Sequence, residues 1–123
     1  MDIAVIGIRD AGTEKERLLL LVKRDCDLYG YMVLDNTFNS NGSLSNTNRH
    51  VFIFPKYDVQ EGDIIRLYTK QGNQHSAEGT FRQEKVMYHN FYWNFDEGCT
   101  VWNQSVDRPY LVHFDESTPM QIV

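Results

Sequence analysis

The residues of this chain that could ligate a metal or act as a nucleophile are few and far apart. Cys99 could serve as a nucleophile only if the fold brought a histidine base to it. Neither a glycine-rich phosphate loop nor a Gly-x-Ser-x-Gly motif is present. We therefore predict a protein that is not an enzyme and that holds no metal and no cofactor. The histidines stand at no metal-ligand spacing from one another or from a cysteine, and they are His50, His75, His89 and His113.

The densest aromatic stretch is MYHNFYWNF, which runs from Met87 to Phe95. Successive side chains of a strand point to opposite faces, so a strand here has one face in the core and one face outside it. Alternation places His89, Phe91, Trp93 and Phe95 on one of these faces. The other side carries the candidate binding residues, which are Tyr88 and Tyr92 with the nearby Asn90 and Asn94.

These side chains suggest a binding role, because tyrosines are enriched where protein partners dock. Our leading hypothesis is a non-catalytic module that presents one face or edge of a β-sandwich to another protein. The alternative is carbohydrate binding by Tyr88 and Tyr92 together with the two asparagines. A third arrangement stays open, in which a loop covers both tyrosines and they belong to the scaffold. A sheet edge could also pair two copies of the chain, since edge backbone groups lack partners.

The charge and composition indicate which classes of partner are disfavoured and which compartment is favoured. The 12 Lys and Arg residues against 17 Asp and Glu give a net charge of −5, which disfavours a nucleic-acid partner. The longest apolar run, Leu18 to Val22, is far shorter than the roughly 20 residues that span a bilayer. The first residues do not form a secretory signal, which favours a cytoplasmic protein. An extracellular location is expected instead if the chain is a processed or cut-out domain.

The two cysteines, Cys26 and Cys99, could form one disulfide, but their separation in sequence does not decide their distance in space. Two buried or half-buried thiols in a reducing compartment are the favoured interpretation. The bridged alternative stays open.

The stretch from His50 to Gly72 predicts two apolar strands joined by a polar corner. Phe52 and Phe54 should face one way and the intervening residues the other, since strand side chains alternate. Pro55 should end the first strand, and Gly62 should take a positive φ in the corner. The second strand, IIRLY, places Ile65 and Leu67 on one face. Val51 and Ile53 share the opposite face of the first strand.

The segment TEKERLLLLVKR fits either a helix or a strand. Thr13 followed by Glu16 is the pattern of a helix capping box, whereas the run from Leu18 to Lys23 suits a strand that is covered on both faces. We predict a strand, because strands surround it.

Alternation and turn residues predict the remaining elements. The expected strands are Ile3 to Ile8, Tyr31 to Asp35, a strand region from Thr80 to Phe95, Thr100 to Trp102, Tyr110 to Phe114 and a short closing edge in DESTPMQIV. The expected connections are a loop from Asn36 to Asn48, a polar segment from Lys70 to Gly79 and a turn from Asn103 to Pro109. Asp35, Asn39 and Asn41 offer oxygens to calcium, but only one of them is a carboxylate, which disfavours a calcium site.

Eight or so short strands, separated by turn residues and without a convincing amphipathic helix, predict an all-β, two-sheet β-sandwich or barrel. The chain of 123 residues fits a single domain, residues 1–123, with one core.

The order of these elements resembles the lamin-tail domain, an immunoglobulin-like β-sandwich. The resemblance covers about Ile3 to Val123. It rests mainly on the Phe54-Pro55 corner followed by Gly62, and on Val101-Trp102-Asn103 followed by Asp107 and Leu111.

The resemblance implies an immunoglobulin-like fold of about eight to nine strands and a set of scaffold positions without a catalytic role. No coiled-coil heptads precede the domain here, so the nuclear partners of lamins are not carried over. The implied scaffold residues are Phe54, Pro55, Gly62, Trp102, Asn103, Asp107 and Leu111.

Overall fold

The computed structural model describes residues 1–38, 44–95, 101–102 and 107–114, which form strands and connections but no helix. A membrane-crossing helix is accordingly not found in these ranges. The strands are β1 (Ile3–Arg9), β2 (Arg17–Val22), β3 (Cys26–Asp27), β4 (Tyr31–Phe38), β5 (Leu44–Ile53), β6 (Asp58–Val59), β7 (Ile64–Tyr68), β8 (His75–Phe81), β9 (Glu84–Tyr92) and β10 (Asp107–His113).

The strands assemble into two main sheets, which confirms the predicted all-β, sandwich-like fold. One sheet has five strands in the order β1-β2-β7-β9-β8, and the other has three in the order β10-β4-β5. Every neighbouring pair is antiparallel except β7 and β9, which are parallel. The short strands β3 and β6 form a two-stranded sheet of their own.

The core lies between the two main sheets. There the rings of Phe52 in β5 and of Phe54 just after it contact Phe91 in β9. The ring centroid of Phe91 lies 6.4 Å from that of Phe52 and 5.2 Å from that of Phe54, with both pairs edge to face. Such edge-to-face pairs are the favoured aromatic geometry. Val51 and Ile53 are exposed on the opposite face of β5. The predicted alternation of this strand is confirmed.

The two strands of the central stretch do not pair with each other, since β5 belongs to the three-stranded sheet and β7 to the five-stranded sheet. The chain leaves β5 before Pro55, and Gly62 has a φ of 91° where the chain turns into β7. Both expectations for this corner are confirmed. The corner therefore carries the chain from one sheet to the other.

The ambiguous segment forms a strand, as predicted. Leu18 and Leu20 face the core and Leu19 is buried on the other side, so β2 is covered on both faces. Thr13 and Glu16 belong to the turn before it, in which the Glu16 N–H donates to the Thr13 carbonyl at 3.0 Å.

A buried carboxylate joins this turn to a distant segment. Glu16 has no exposed surface. Its Oε1 accepts hydrogen bonds from the Gly12 N–H at 3.0 Å and the Trp102 N–H at 3.1 Å, and its Oε2 accepts one from the Val101 N–H at 2.8 Å. The predicted strand from Thr100 to Trp102 is wrong for Val101 and Trp102, which form a bend. Their N–H groups donate to a side chain instead of a strand ladder. Thr100 lies outside the described residues.

The predicted loop from Asn36 to Asn48 is also wrong in extent. β4 continues to Phe38 and β5 begins at Leu44, with Asn36 opposite Asn48 and two register shifts in the ladder. The two strands supply each other's backbone partners, so polar side chains do not stop the pairing. Asn39 and Asn41 of the disfavoured calcium site lie outside the described residues.

The polar segment from Lys70 to Gly79 contains strand β8, which begins at His75. β8 and β9 form a hairpin whose two loop residues, Arg82 and Gln83, have φ of 52° and 70°. Two positive φ angles are typical of a type I′ turn. The segment was misassigned because an edge strand that faces solvent can be polar.

The predicted turn from Asn103 to Pro109 overlaps β10, which begins at Asp107. Pro109 lies within this strand, opposite Asp35. β10 is an edge of its sheet among the described strands, and an edge strand tolerates a residue without an N–H. Residues 115–123, including the predicted closing edge, lie outside the described residues.

Cys26 lies on β3 as a free, half-buried thiol whose pKa is raised, chiefly by burial. Cys99 lies outside the described residues.

Asp27 ties the turn after β3 to the corner after β5. Its Oδ2 accepts a hydrogen bond from Lys56 Nζ at 2.7 Å, and its Oδ1 accepts the N–H groups of Tyr29 and Tyr57 at 3.0 Å each. The hydrogen bond from Lys56, followed by those of the two backbone N–H groups, lowers the pKa of Asp27 to about 2.

Replacement of Glu16 by glutamine should lower the free energy of unfolding by about 1–3 kcal/mol, because the amide NH₂ group would face a backbone N–H that now has an acceptor. Urea unfolding monitors this change. The exposed Glu14→Gln variant is the matched control and should be near neutral. Equal stability of the two variants would contradict the role of the Glu16 carboxylate.

Asp27 should contribute stability that is complete above about pH 4 and is lost as the pH falls towards 2, because its pKa is lower in the folded than in the unfolded chain. In Lys56→Gln the pKa of Asp27 should rise towards 3.8 and stay below it, since the two backbone donors are retained. An NMR titration of the Asp27 carboxyl carbon measures the shift. Lys15→Gln is the control, and an unchanged Asp27 pKa in Lys56→Gln would refute the assignment.

Candidate functional site

The outer face of the five-stranded sheet brings together side chains from three neighbouring strands. The parallel register of β7 and β9 sets Arg66 beside Asn90 and Tyr68 beside Tyr92. The antiparallel register of β8 and β9 sets His75 on the other side of Asn90. Residues opposite each other in a ladder share a face of the sheet. We call this surface the tyrosine–arginine face, and it consists of Arg66, Tyr68, His75, Tyr88, Asn90 and Tyr92.

Arg66 lies at the centre of this face and is held in two ways. Its Nε donates a hydrogen bond to Asn90 Oδ1 at 2.6 Å. Its Cζ lies 3.8 Å from the centroid of the Tyr88 ring, close enough for a cation–π interaction. The ring fixes the plane of the guanidinium and the amide fixes its rotation, so Arg66 has a defined orientation.

Asn90 connects Arg66 to β8 from a buried position, with 3% of its surface exposed. Its Nδ2 donates to His75 Nε2 at 3.1 Å, while His75 Nδ1 donates to the Asn73 carbonyl at 2.9 Å. These two contacts require the neutral imidazole with its hydrogen on Nδ1. The buried amide therefore has a partner for both its oxygen and its nitrogen.

Tyr92 packs between two other rings. Its centroid lies 5.2 Å from that of Tyr68 and 5.8 Å from that of His75, with interplanar angles of 12° and 23°. Burial raises the pKa of Tyr92, so its hydroxyl is a neutral donor at physiological pH. The faces of these rings are largely occupied by each other.

Glycines lie against the two predicted tyrosines. A Cβ on Gly72 would collide with the Tyr92 ring, and one on Gly79 would lie 2.6 Å from the Tyr88 ring. The Tyr88 hydroxyl also donates to the Thr80 carbonyl at 2.6 Å. Both tyrosines are half-buried, so a backbone segment covers part of each and leaves the rest exposed.

Asn94 lies in the turn after β9, with a φ of 62°. Its Oδ1 accepts the Gly72 N–H at 2.9 Å, and its Nδ2 donates to the Tyr92 carbonyl at 3.2 Å. Of the four candidate residues, the structure therefore gathers Tyr88, Asn90 and Tyr92 on one face and uses Asn94 for the turn.

Sequence reasoning missed Arg66, Tyr68 and His75 as members of this face. A signal for the first two was present, because the prediction that Ile65 and Leu67 share one face leaves Arg66 and Tyr68 together on the opposite face. His75 gave no such signal, since its segment was predicted to be a connection.

A second polar cluster surrounds His89 on the inner side of β9. His89 Nε2 lies 2.7 Å from Asp63 Oδ2, and its Nδ1 lies 2.8 Å from the Tyr57 hydroxyl and 2.9 Å from Ser76 Oγ. Serine, histidine and aspartate are the components of an acyl-transfer triad. Here, however, the tyrosine hydroxyl shares Nδ1 with Ser76 and lies 2.7 Å from its Oγ. We assign the cluster to the linkage between the β8–β9 hairpin and the corner that contains Tyr57 and Asp63.

The other histidines occupy separate environments. His50 Nδ1 lies 2.9 Å from Asp35 Oδ2, and His113 stacks on Tyr31 with centroids 4.0 Å apart. Within the described ranges, no group of three or more His, Cys, Asp or Glu side chains is placed to hold a metal ion. Cys99, the candidate nucleophile, lies outside them.

The outer face of the three-stranded sheet is apolar across all three strands. Ile53, Val51 and Tyr110 have 62%, 45% and 43% of their surface exposed. This face was missed, although the runs YMVL and VFIF are apolar on both sides of their strands. Its members, paired in register, are Met32, Leu34, Val51, Ile53, Tyr110 and Val112.

Comparison with protein-family models, with curated proteins and with solved structures gave no match.

The contact between Gly79 and Tyr88 leads to a testable expectation. Gly79→Ala should lower the free energy of unfolding by about 1–3 kcal/mol, because the new methyl group would push the Tyr88 ring from its place against Arg66. In a Tyr88→Ala background the same substitution should have almost no effect, since the three atoms nearest to the new Cβ all belong to Tyr88. Urea unfolding of the four chains measures the coupling, and additive effects would rule out the contact.

Proposed function

We propose that this chain is a non-catalytic module that binds another protein through the tyrosine–arginine face. The observation that carries the proposal is the orientation of Arg66, which is held by the Tyr88 ring and by buried Asn90 at the centre of a half-exposed aromatic surface. Tyrosine and arginine, together with tryptophan, are enriched among the residues that dominate protein–protein binding energy. An arginine that is already oriented loses less conformational entropy when it binds.

The same geometry favours a protein over a sugar as the ligand. A sugar ring needs a free aromatic face on which to stack. Here the Tyr68 and Tyr92 rings are stacked on each other, and the Arg66 guanidinium lies over Tyr88. The surface that this face offers consists mainly of ring edges, hydroxyl groups and a guanidinium, which suit a protein partner.

We also propose that the fold is an immunoglobulin-like, lamin-tail type of sandwich. Several positions of the resemblance have the expected scaffold character, since Phe54 and Trp102 are buried and Gly62 has a positive φ. Leu111 is half-buried and packs against the core. Asn103 lies outside the described residues. A homodimer through a sheet edge stays a prediction.

Affinity capture with variants on the two outer faces tests the binding proposal. The Tyr88→Ser, Tyr92→Ser double variant should lose a protein that the wild-type chain retains from a lysate of the source organism. The matched control is Val51→Ser, Ile53→Ser on the apolar face, which should keep that protein. Circular dichroism establishes that each variant is folded.

Two outcomes would refute this assignment. Loss of the protein only in the Val51, Ile53 variant would move the docking surface to the three-stranded sheet. A specific signal on a glycan array that disappears with the tyrosine substitutions would favour the carbohydrate alternative.

A further inference from the structure

We propose that the partner contributes a carboxylate to the centre of the tyrosine–arginine face, and that Arg66 binds this carboxylate through its two terminal nitrogens. The ligand is therefore an acidic segment of a protein. This inference rests on the protein-binding function proposed above and names the chemistry of the partner at the same site.

The hydrogen bonds of Arg66 leave one end of its guanidinium available. Nε donates to Asn90, whereas neither Nη1 nor Nη2 donates to another residue in the part of the chain that the structure describes. A guanidinium offers parallel N–H groups whose spacing matches the two oxygens of a carboxylate. Because the plane is set by Tyr88, the terminal nitrogens form a site with a defined direction.

The support beneath Arg66 is a chain of hydrogen-bonded groups, of which Asn90 is buried and His75 is exposed. Asn90 is nearly fully buried and is itself held by His75, which in turn donates to the Asn73 carbonyl. The chain of hydrogen bonds from the Asn73 carbonyl to Arg66 therefore sets which atom of Asn90 faces the guanidinium. An isolated surface arginine has no such support and would select a carboxylate only weakly.

The charges around the face favour an anion. Lys70 Nζ lies 5.3 Å from the centroid of the Tyr68 ring, and no ion pair joins Lys70 or Arg66 to a carboxylate within the described ranges. The chain as a whole carries a net charge of −5. An acidic segment is therefore attracted to this face and repelled by much of the remaining surface, which directs it to one place.

A carboxylate fits this site better than a nucleic-acid backbone does. A phosphate backbone requires many Lys and Arg side chains along a groove, because its affinity comes from the number of charges neutralised. The face has one oriented guanidinium and one nearby ammonium, whereas Arg17, opposite Tyr68 on β2, is already paired with Asp10 at 2.7 Å. The hydroxyl groups of Tyr68 and Tyr92 make no hydrogen bond to the described residues, so they can donate to the partner beside the carboxylate.

Fluorescence anisotropy with two labelled peptides tests the proposal. The probes are an octamer of glutamate and an octamer of glutamine, which have the same length and nearly the same shape. The wild-type chain should bind the glutamate peptide at least about tenfold more tightly, which corresponds to about 1.4 kcal/mol. Arg66→Gln should remove this preference, and Arg66→Lys should restore only part of it, because an ammonium cannot bind in a bidentate manner.

The matched control is Arg82→Gln in the exposed β8–β9 turn, which changes the net charge by the same amount. It should keep the preference for glutamate. NMR of the Arg66 Nε–H group provides a second measurement, since this signal should shift with the glutamate peptide and not with the glutamine peptide. Circular dichroism establishes that the variants are folded.

Three results would overturn the inference. Equal binding of the two peptides by the wild-type chain would exclude a carboxylate site. An equal loss in Arg66→Gln and Arg82→Gln would show attraction by net charge alone. Much tighter, Arg66-dependent binding of a phosphoserine octamer would identify phosphate as the ligand. If the tyrosine variant still loses a captured protein while the two peptides bind equally, the protein-binding function stands and the carboxylate inference fails.

Discussion

The packing of Phe91 against the rings of the opposite sheet determines which way β9 faces, and the outer surface of the larger sheet depends on that choice. Phe91 meets Phe52, Phe54 and Tyr57 at edge-to-face angles, with centroid distances from 5.2 to 6.4 Å. A strand that buries Phe91 must turn Asn90 and Tyr92 to its other side, because the side-chain period of a strand is two. The core and the proposed binding surface are therefore two consequences of one register.

Buried polar groups also join segments that are far apart in the sequence. Glu16 gathers three backbone N–H groups, two of which lie more than 80 residues away along the chain. His89 contacts Asp63 on one side and two hydroxyl groups on the other. Each group is satisfied by several partners, and a buried polar group that has its partners specifies one arrangement of the chain. These contacts hold the turn before β2 and attach β9 to the turn before β7.

A buried polar group with several hydrogen-bond partners also organises the tyrosine–arginine face. Asn90 is buried and satisfied, and through it the orientation of Arg66 is coupled to the pairing of β7, β8 and β9. The face thus has a hydrogen-bonded polar centre beside tyrosine rings, whereas the side chains that the structure describes on the outer face of the smaller sheet are apolar. The two outer faces differ in chemistry because β7, β8 and β9 pair polar and aromatic side chains, whereas the described parts of β4, β5 and β10 pair apolar ones.

The sequence by itself determined the features that alternation and backbone stereochemistry control. The shared face of Phe52 and Phe54, the alternation of side chains along β9, the end of β5 before Pro55 and the positive φ of Gly62 all follow from local rules, as does the all-β class. The tertiary structure alone decided where strands find their partners. Polar β8 is a strand because β9 lies beside it, and Val101 bends because a distant carboxylate accepts its N–H. Arg66 acquires its orientation from Asn90, 24 residues later. Strand pairing and buried hydrogen bonds join residues that are far apart in the chain, and neither composition nor periodicity records which remote groups will meet.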